Sequence, residues 1–416
     1  KELTIDNTIL LDSWKTMKLV DVCIVERGSS PRPIKKYITD DENGVNWIKI
    51  GDTKNIEKYI YETNQKITKE GAVKSRFVEE GDFILSNSMS FGKPYIMKTQ
   101  GYIHDGWFRL KLHDFIDTEY FYQLLSSPLV NDQFHDLASG SVVKNISGDL
   151  VKKVNLPIPP LPQQKQIVAT LDKAFAAIDK AKANAEQNLK NAKELFESYL
   201  QNVFENKGDD WEEKSLVEVT SKIESGATPR GGKANYKEVG ISLIRSMNVH
   251  DFYFKEKNLA FIDDEQADAL SNVAIQEEDV LLNITGASIA RCCIVPKECL
   301  PARVNQHVSI IRANKEVINP VFLASLLTSK FFKDQILEIG EQGATRQAIT
   351  KVQLENFEIS FPKTTKEQEK VVQNINTLKA ETKKLEAIYT QKIADLEEMK
   401  KSVLQKAFSG QLNTVT

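Results

Sequence analysis

Three short stretches, each found twice in the chain, combine basic side chains with turn-forming residues. The first spans residues 27–39, which hold four basic residues and no acidic one, and its counterpart spans residues 222–237. The third is GSVVKNI from Gly140, matched by GATRQAI from Gly343. Lysine and arginine bind phosphates and guanine edges, whereas asparagine and glutamine pair with adenine, and small turn residues allow close approach. This chemistry is that of DNA contact.

The second basic stretch is longer and contains several cations in each copy. Its members are Lys93, Lys98, Arg109 and Lys111, matched by Arg291, Lys297, Arg303, Arg312 and Lys315. Each stretch by itself also fits an ordinary solvated turn, but the recurrence of all three favours DNA. The candidate DNA-binding residues are Arg27, Arg32, Lys35, Lys36, Lys93, Lys144, Asn145, Arg230, Lys233, Arg291, Arg346 and Gln347.

Overall charge gives no support to nucleic-acid binding. The net charge of the 416 residues is −3, and residues 208–362 hold 17 basic and 23 acidic residues. Contact with DNA must therefore come from local patches and not from the overall field. The four cysteines form no disulfide framework or CxxC pair, which predicts free thiols in a reducing cytoplasm.

Residues able to catalyse a reaction are not found in any recognisable pattern. The chain has no phosphate-binding GxxxxGK[ST] loop, and its five histidines have no metal-ligand spacing. The run from Asn319 to Phe322 (NPVF) falls short of the Asn-Pro-Pro-aromatic motif of amino methyltransferases. We therefore predict no catalytic site, no bound metal and no cofactor in this chain. The chain contains no run of about 18 apolar residues, so we expect no membrane span.

Internal repetition accounts for the pairing of these stretches. Trp14 begins WKTMKLVDV and Trp211 begins WEEKSLVEV, while GSSPR from Gly28 matches GATPR from Gly226. Further along, WIKIGD from Trp47 matches LIRSMN. The chain is thus two copies of a unit of about 200 residues, each a globular domain followed by a long helix.

Both helices show apolar positions at alternating spacings of three and four, which is typical of helices that wind on a partner helix. Some 40 residues without proline reach roughly 60 Å as a helix. Alanine dominates the first seam and larger side chains the second, so the two helices are predicted to pack on each other. The seam positions are Ile167, Leu171, Ala174, Ile178, Ala181, Ala185, Asn188, Ala192, Leu195 and Tyr199, then Val371, Ile375, Leu378, Thr382, Leu385, Tyr389, Lys392, Leu396, Met399 and Val403.

The domains themselves mix short alternating runs with helical segments. Strands are predicted at residues 45–50, 82–85, 107–112 and 308–311, and helices at 118–126 and 320–329. The fold class is α+β, with two similar α/β domains, each followed by a long helix. Domain bounds are predicted at 1–160 and 208–362 for the globular domains, and at 161–207 and 363–416 for the helices with the tail.

The chain resembles the specificity subunits of type I restriction-modification enzymes. The resemblance rests on LPIPPLPQQKQIV from Leu156, its weaker copy FPKTTKEQEKVV from Phe361, and SVLQKAFSGQL from Ser402. The glycine turns and the tryptophan starts also fit. The second copy departs from the motif because it keeps only Pro362 of the repeated prolines.

Membership of that family implies that each globular domain recognises one half of a split DNA sequence, and that the helices form an antiparallel coiled coil separating the domains. Two modification subunits would dock on the helices and methylate adenine in each half-site, and restriction subunits would complete an ATP-dependent nuclease. Those partners, not this chain, would bind S-adenosylmethionine, ATP and Mg. The chain would act in the bacterial cytoplasm.

Two alternatives remain open from the sequence. One is a coiled-coil scaffold or adaptor without DNA binding, which the acidic net charge favours. The other is the recognition subunit of a related restriction-modification system outside type I. Apolar helix positions off the seam are candidates for binding partner subunits, or else for covering the chain's own domains. They are Phe175, Leu189 and Phe196.

Overall fold

A computed structural model describes residues 4–5, 8–9, 13–87, 92–138, 147–229, 232–341 and 348–412, with the side chains of residues 4–9, 138, 233 and 339–341 excepted. The chain divides into two compact units. The first comprises residues 1–185 together with 391–416, and the second comprises residues 186–390. Each long helix therefore contributes one part to each unit.

The first unit is built from short strands and helices that precede the first long helix. Its strands are β1 (Thr4–Ile5), β2 (Thr8–Ile9), β3 (Lys15–Lys18), β4 (Cys23–Arg27), β5 (Ile38–Thr39), β6 (Val45–Ile48), β7 (Tyr59–Ile60), β8 (Gln65–Ile67), β9 (Arg76–Val78), β10 (Phe83–Ser86), β11 (Pro94–Met97), β12 (Gly101–Ile103), β13 (Trp107–Leu112) and β14 (Asn155–Ile158). Its helices are α1 (Leu19–Val22), α2 (Lys69–Ala72), α3 (Thr118–Leu125), α4 (Pro128–Ala138), α5 (Gly148–Val151) and the first part of α6 (Leu161–Glu205).

The second unit repeats this order of elements. Its strands are β15 (Trp211–Ser215), β16 (Thr220–Ser225), β17 (Ile241–Ile244), β18 (Val249–His250), β19 (Tyr253–Phe254), β20 (Ala260–Ile262), β21 (Val280–Asn283), β22 (Cys292–Ile294), β23 (Ala302–Val304), β24 (Val308–Ala313) and β25 (Glu358–Pro362). Its helices are α7 (Leu216–Val219), α8 (Asp264–Asp268), α9 (Pro320–Thr328), α10 (Lys330–Glu341), α11 (Lys351–Glu355) and the first part of α12 (Thr365–Phe408).

Strand order shows that the sequence repeat is a structural repeat. The first unit has sheets ordered β4-β13-β10-β11-β7 and β5-β8-β6-β12-β9. The second has β16-β24-β21-β22 and β20-β17-β23. In each, one strand lies parallel to its neighbour, β6 to β12 and β17 to β23, while the other side pairs antiparallel. The shared core of strands is therefore the same in both units, and the first unit adds edge strands.

The predicted strands and helices of the domains are confirmed with small shifts at their ends. The strand predicted at 82–85 is Phe83–Ser86, and the helix predicted at 320–329 ends at Thr328. Helix α9 begins where expected because Asn319 caps the amides of Val321 and Phe322, and Pro320 occupies a position where no amide donor is needed.

Each unit has its own apolar core, to which both long helices contribute. In the first unit, Leu171 of α6 and Leu404 of α12 lie in one buried cluster. Lys182 bonds to Glu397 at 2.7 Å and Asp179 to Lys400 at 2.9 Å, so the residue numbers rise along α6 as they fall along α12. The two helices are therefore antiparallel within this unit, as predicted.

Equivalent aromatic residues anchor the end of each long helix. Phe204, near the end of α6, packs edge-on against Phe322 of α9 with ring centroids 5.5 Å apart. Phe408, at the end of α12, packs in the same way against Tyr120 of α3 at 5.4 Å. Each globular domain thus holds the end of one long helix as well as the start of the helix that follows it.

In the second half of both helices the predicted seam is confirmed at some positions and wrong at others, since Ala192 and Leu396 are buried. Leu195 is 50% exposed and Met399 51% exposed, while Asn188 also faces solvent. In place of Asn188 and Leu195, the half-buried residues of α6 are Leu189 and Phe196, one residue further along. Ala185, Leu189, Ala192, Phe196 and Tyr199 still alternate steps of four and three, so the repeat is as predicted and only the choice between adjacent residues differs at two positions.

A buried glutamine ties the start of each long helix to its domain. The side-chain oxygen of Gln164 accepts from the amide of Asp117 at 2.7 Å, and its nitrogen donates to the carbonyls of Phe115 and Pro159. Gln368 makes the same three bonds in the second unit, to Asn319, Val317 and Pro362. The glutamine joins strand, helix cap and long helix in one network.

Candidate nucleic-acid interface

A glycine turn follows the first strand of the large sheet in each unit. Gly28 comes directly after β4 and donates its amide to the carbonyl of Trp107 at 2.8 Å. A Cβ atom there would lie 2.0 Å from the carbonyl oxygen of His104. At Gly226 the corresponding distance, to Val304, is 1.8 Å. Only glycine allows the turn to cross so close to the end of β12 or β23.

Side-chain hydrogen bonds hold the same turn from the other side. Ser30 donates to a carboxylate oxygen of Asp105 at 2.6 Å, and Thr228 bonds to Gln306 at the equivalent place. The Ser30 hydroxyl is the main reason that the pKa of Asp105 is lowered, so the carboxylate is charged at neutral pH. Arg32 lies 3.6 Å from that carboxylate but remains 82% exposed in its side chain.

An open cleft of about 1000 Å³ lies beside this turn in the first unit. Pro31 and Pro33 form one wall, Ile34 and Ile50 add apolar surface, and Trp47 also lines it. Three cationic side chains share the cleft, those of Arg32, Lys35 and Lys49. The cleft thus combines a mostly apolar lining with three cationic side chains.

His104 completes the cleft lining without adding charge. Its ring nitrogens lie 3.2 and 2.7 Å from the backbone nitrogens of Ile50 and Gly106. Burial lowers the pKa of His104, which keeps the imidazole neutral near pH 7. The ring therefore joins the backbone of Ile50, which lines the cleft, to that of Gly106.

Four of the predicted DNA-binding residues lie together around the first glycine turn. Arg27 ends β4 and is exposed, with its Nε atom 3.4 Å from the carbonyl oxygen of Asp105. Arg32, Lys35 and Lys36 follow, and all three are exposed. The structure thus brings the first basic stretch to one surface of the first unit.

Two further candidates lie elsewhere. Lys93 is exposed, donates to the carbonyl of Ile56 at 3.0 Å and sits 5.1 Å from the ring centre of Tyr95. Arg291 is half-buried and follows the short helical turn at residues 286–288. The structure does not bring either of them to the cleft.

Several candidates lie outside the described residues. These are Lys144, Asn145, Arg230, Arg346 and Gln347, together with the side chain of Lys233. Their assignment to DNA contact stays a prediction.

The second basic stretch contains arginines that serve the fold. Arg109 donates from Nε to the buried carboxylate of Asp82 at 2.6 Å, and Arg312 donates to Asp279 at 2.7 Å. Lys111 pairs with Glu79 at 2.7 Å. Carboxylates of their own domain thus neutralise these three cations, none of which is among the candidate DNA-binding residues.

Lys49 is a cation of the cleft that sequence reasoning missed. Its amide donates to the side chain of Asp52 at 2.8 Å, and Arg245 makes the same bond to Asn248 at 3.1 Å in the second unit. The signal was present in the alignment of WIKIGD with LIRSMN, where a lysine matches an arginine. It was overlooked because one cation inside an apolar strand pattern does not stand out from its neighbours.

Two of the three apolar helix positions proposed for partner subunits take part in the chain's own packing. Phe175 is buried in the core of the first unit beneath the ammonium of Lys400, and Leu189 is half-buried. Phe196 packs against Phe252 with centroids 5.3 Å apart. Phe175 therefore does not point outward, whereas Leu189 and Phe196 stay partly accessible. Contact of these positions with partner subunits stays a prediction.

The described residues were searched for metal-ligand groups and for membrane-spanning helices. Among them, no group of three or more histidine, cysteine or acidic side chains could hold a metal ion. Within the same ranges, no helix is both long enough and apolar enough to cross a bilayer. All four cysteines are free thiols, as predicted, and each is buried.

Comparison with known proteins agrees with the repeat. A family model for the type I restriction modification DNA specificity domain matches residues 12–190 and again 208–397. The type I restriction enzyme EcoBI specificity subunit of Escherichia coli is 25% identical over 299 residues, and the alignment covers 66% of this chain and 62% of that protein.

Two solved structures share the fold. A chain from a study of complex assembly and conformational transition of the type I R-M system has a TM-score of 0.74 at 18% identity, covering 97% of this chain and 99% of the other. The HsdS subunit from Thermoanaerobacter tengcongensis has a TM-score of 0.65 at 18% identity, covering 99% and 100%. Since the family model matches well over half of the residues, in two copies, the chain belongs to the family of type I restriction-modification DNA specificity proteins.

Proposed function

We propose that this chain is the DNA sequence-recognition subunit of a type I restriction-modification complex, and that it reads an asymmetric site in two parts. The observation that carries the proposal is the duplicated turn. In each unit a glycine crosses close to a strand end, and a side-chain bond from Ser30 or Thr228 holds the segment that follows. Two versions of one surface in one chain suit two unlike half-sites.

The chain would hold its partners without performing chemistry itself. Two adenine-methyltransferase subunits, with restriction subunits added, would supply catalysis and would bind S-adenosylmethionine, ATP and Mg. The target adenine would flip out of the DNA duplex into a pocket on the methyltransferase. The proposed site of action is the bacterial cytoplasm.

The test is co-purification with its modification subunit, followed by single-molecule mapping of adenine methylation on DNA exposed to the complex. We expect a bipartite, asymmetric motif with adenine methylated in both parts. A symmetric or undivided motif would contradict the bipartite proposal. Absence of both complex formation and salt-sensitive duplex binding would instead favour the scaffold alternative.

A further inference from the structure

We infer that the cleft of the first unit, bounded by residues 30–35 and 49–51, binds the sugar-phosphate backbone of one DNA strand, with Lys49 as a phosphate contact. The inference rests on the proposed function and extends it by assigning this surface to positioning and not to base recognition. The first argument is charge. Arg32, Lys35 and Lys49 line the cleft, while the ring of His104 is neutral.

The second argument is the hydrogen-bonding capacity of the lining. Bidentate recognition of adenine needs asparagine or glutamine, and the residues that line the cleft include neither. The hydroxyl of Ser30 is already bonded to Asp105. The cleft therefore lacks the side chains that read adenine. Its three cations could contact guanine edges or phosphates, and the apolar lining between them suits deoxyribose rings, which favours phosphate contacts that fix register without reading sequence.

The third argument is space. A Cβ atom added at Gly51 would meet nothing within 4 Å, so the cleft is open on that side to an approaching chain. A volume of about 1000 Å³ accommodates more than a single nucleotide. The shape therefore suits a length of backbone and not one base.

The fourth argument is the repeat. Arg245 occupies the position of Lys49 in the second unit, with the same turn stabilised by Asn248. Its guanidinium lies 5.3 Å from the ring centre of Tyr236 and bonds to the carbonyl of Asn258. A cation at this strand end is thus present in both units, although its surroundings differ.

The experiment measures binding of the full chain, alone and in complex with its modification subunit, to a fluorescein-labelled duplex of random sequence across a salt series. The variants are Lys49→Gln, Lys49→Arg and Gly51→Glu. Lys18→Gln is the control, because Lys18 is an exposed lysine on β3 that loses the same charge without lining the cleft.

We expect Lys49→Gln to weaken binding roughly threefold to tenfold and to lower the slope of log affinity against log salt by about one. Lys49→Arg should keep both the affinity and the salt slope of the unmodified chain, since the second unit has an arginine at the equivalent position. Gly51→Glu should weaken binding through charge repulsion while the far-ultraviolet circular dichroism stays unchanged. Lys18→Gln should match the unmodified chain.

The outcomes separate this inference from the proposed function. If the unmodified chain binds duplex DNA with a salt dependence and Lys49→Gln matches it, only the cleft assignment is overturned. The methylation mapping described above is repeated with Lys49→Gln. If this variant changes the sequence of the methylated motif as well as the affinity, the cleft reads bases and the backbone assignment is overturned. If the unmodified chain and its complex show no salt-dependent binding, the proposed function itself fails.

Discussion

Single buried residues carry the junctions between strand and long helix in both units. Gln164 is fully buried near the start of α6. Its side chain makes hydrogen bonds to three backbone groups, the amide of Asp117 and the carbonyls of Phe115 and Pro159. Replacement by alanine removes all three bonds at once and leaves those groups without partners. Such buried polar groups destabilise a fold by roughly 1–3 kcal/mol each when unpaired, although the losses are not additive.

We therefore expect Gln164→Ala to lower the free energy of unfolding by about 2–4 kcal/mol, measured by urea denaturation. Gln166→Ala is the matched control, because Gln166 is exposed two residues further along the same helix and should change stability by less than about 0.5 kcal/mol. Equal midpoints for the two variants would show that the network contributes nothing to stability.

At this scale the sequence predicted residue types better than residue partners. The turn glycines could be identified because Gly28 and Gly226 recur in matching motifs. The pairing of Arg109 with Asp82 could not, since 27 residues separate them and only the sheet register brings them together. A basic residue on a strand looks the same in sequence whether a carboxylate or a ligand neutralises it.

The long helices show how far periodicity alone can be taken. Their existence, length and packing on each other followed from the missing prolines and the regular apolar spacing, whereas the antiparallel arrangement followed from the family resemblance. The buried stripe could not be fixed from the seam, because each step of three or four leaves a choice between adjacent apolar residues. At Leu195 and Phe196 both choices are apolar, and the position of Phe252 decides between them.

These two adjacent residues give a direct test at the scale of the helix. Phe196→Ala should lower the free energy of unfolding by about 1–3 kcal/mol, since the half-buried ring loses its contact with Phe252 and leaves a cavity. Leu195→Ala should change it by less than about 0.5 kcal/mol because its side chain is half exposed. Urea denaturation of both variants measures the difference. A larger loss of unfolding free energy in Leu195→Ala than in Phe196→Ala would show that Leu195, as the predicted seam has it, is the buried position.

At the scale of the whole chain, sequence order and structural unit do not coincide. The first unit contains residues 1–185 and also residues 391–416, which come after the entire second domain. Leu396, Leu404 and Phe408 from this last segment are buried in the same core as strands β10 and β13. Folding of the N-terminal domain therefore depends on residues near the other end of the chain.

Deletion of residues 391–416 should accordingly destabilise the first unit and leave the second largely intact. Hydrogen exchange followed by mass spectrometry should show lost protection in β10 and β13, with protection retained in β21 and β24. The reason is the size of the loss, since burial of one large aromatic such as Phe408 already contributes roughly 3–5 kcal/mol against a typical domain stability of about 5–15 kcal/mol.

Two point variants separate loss of core packing from a general effect of truncation. Phe408→Ala should reduce protection in the first unit alone, because its ring packs on Tyr120 of α3. Met399→Ala removes a side chain that is 51% exposed on the same helix and should leave protection unchanged in both units. Lost protection in β21 and β24 after Phe408→Ala would mean that the two units unfold together, and that the chain is stabilised as one cooperative body and not as two.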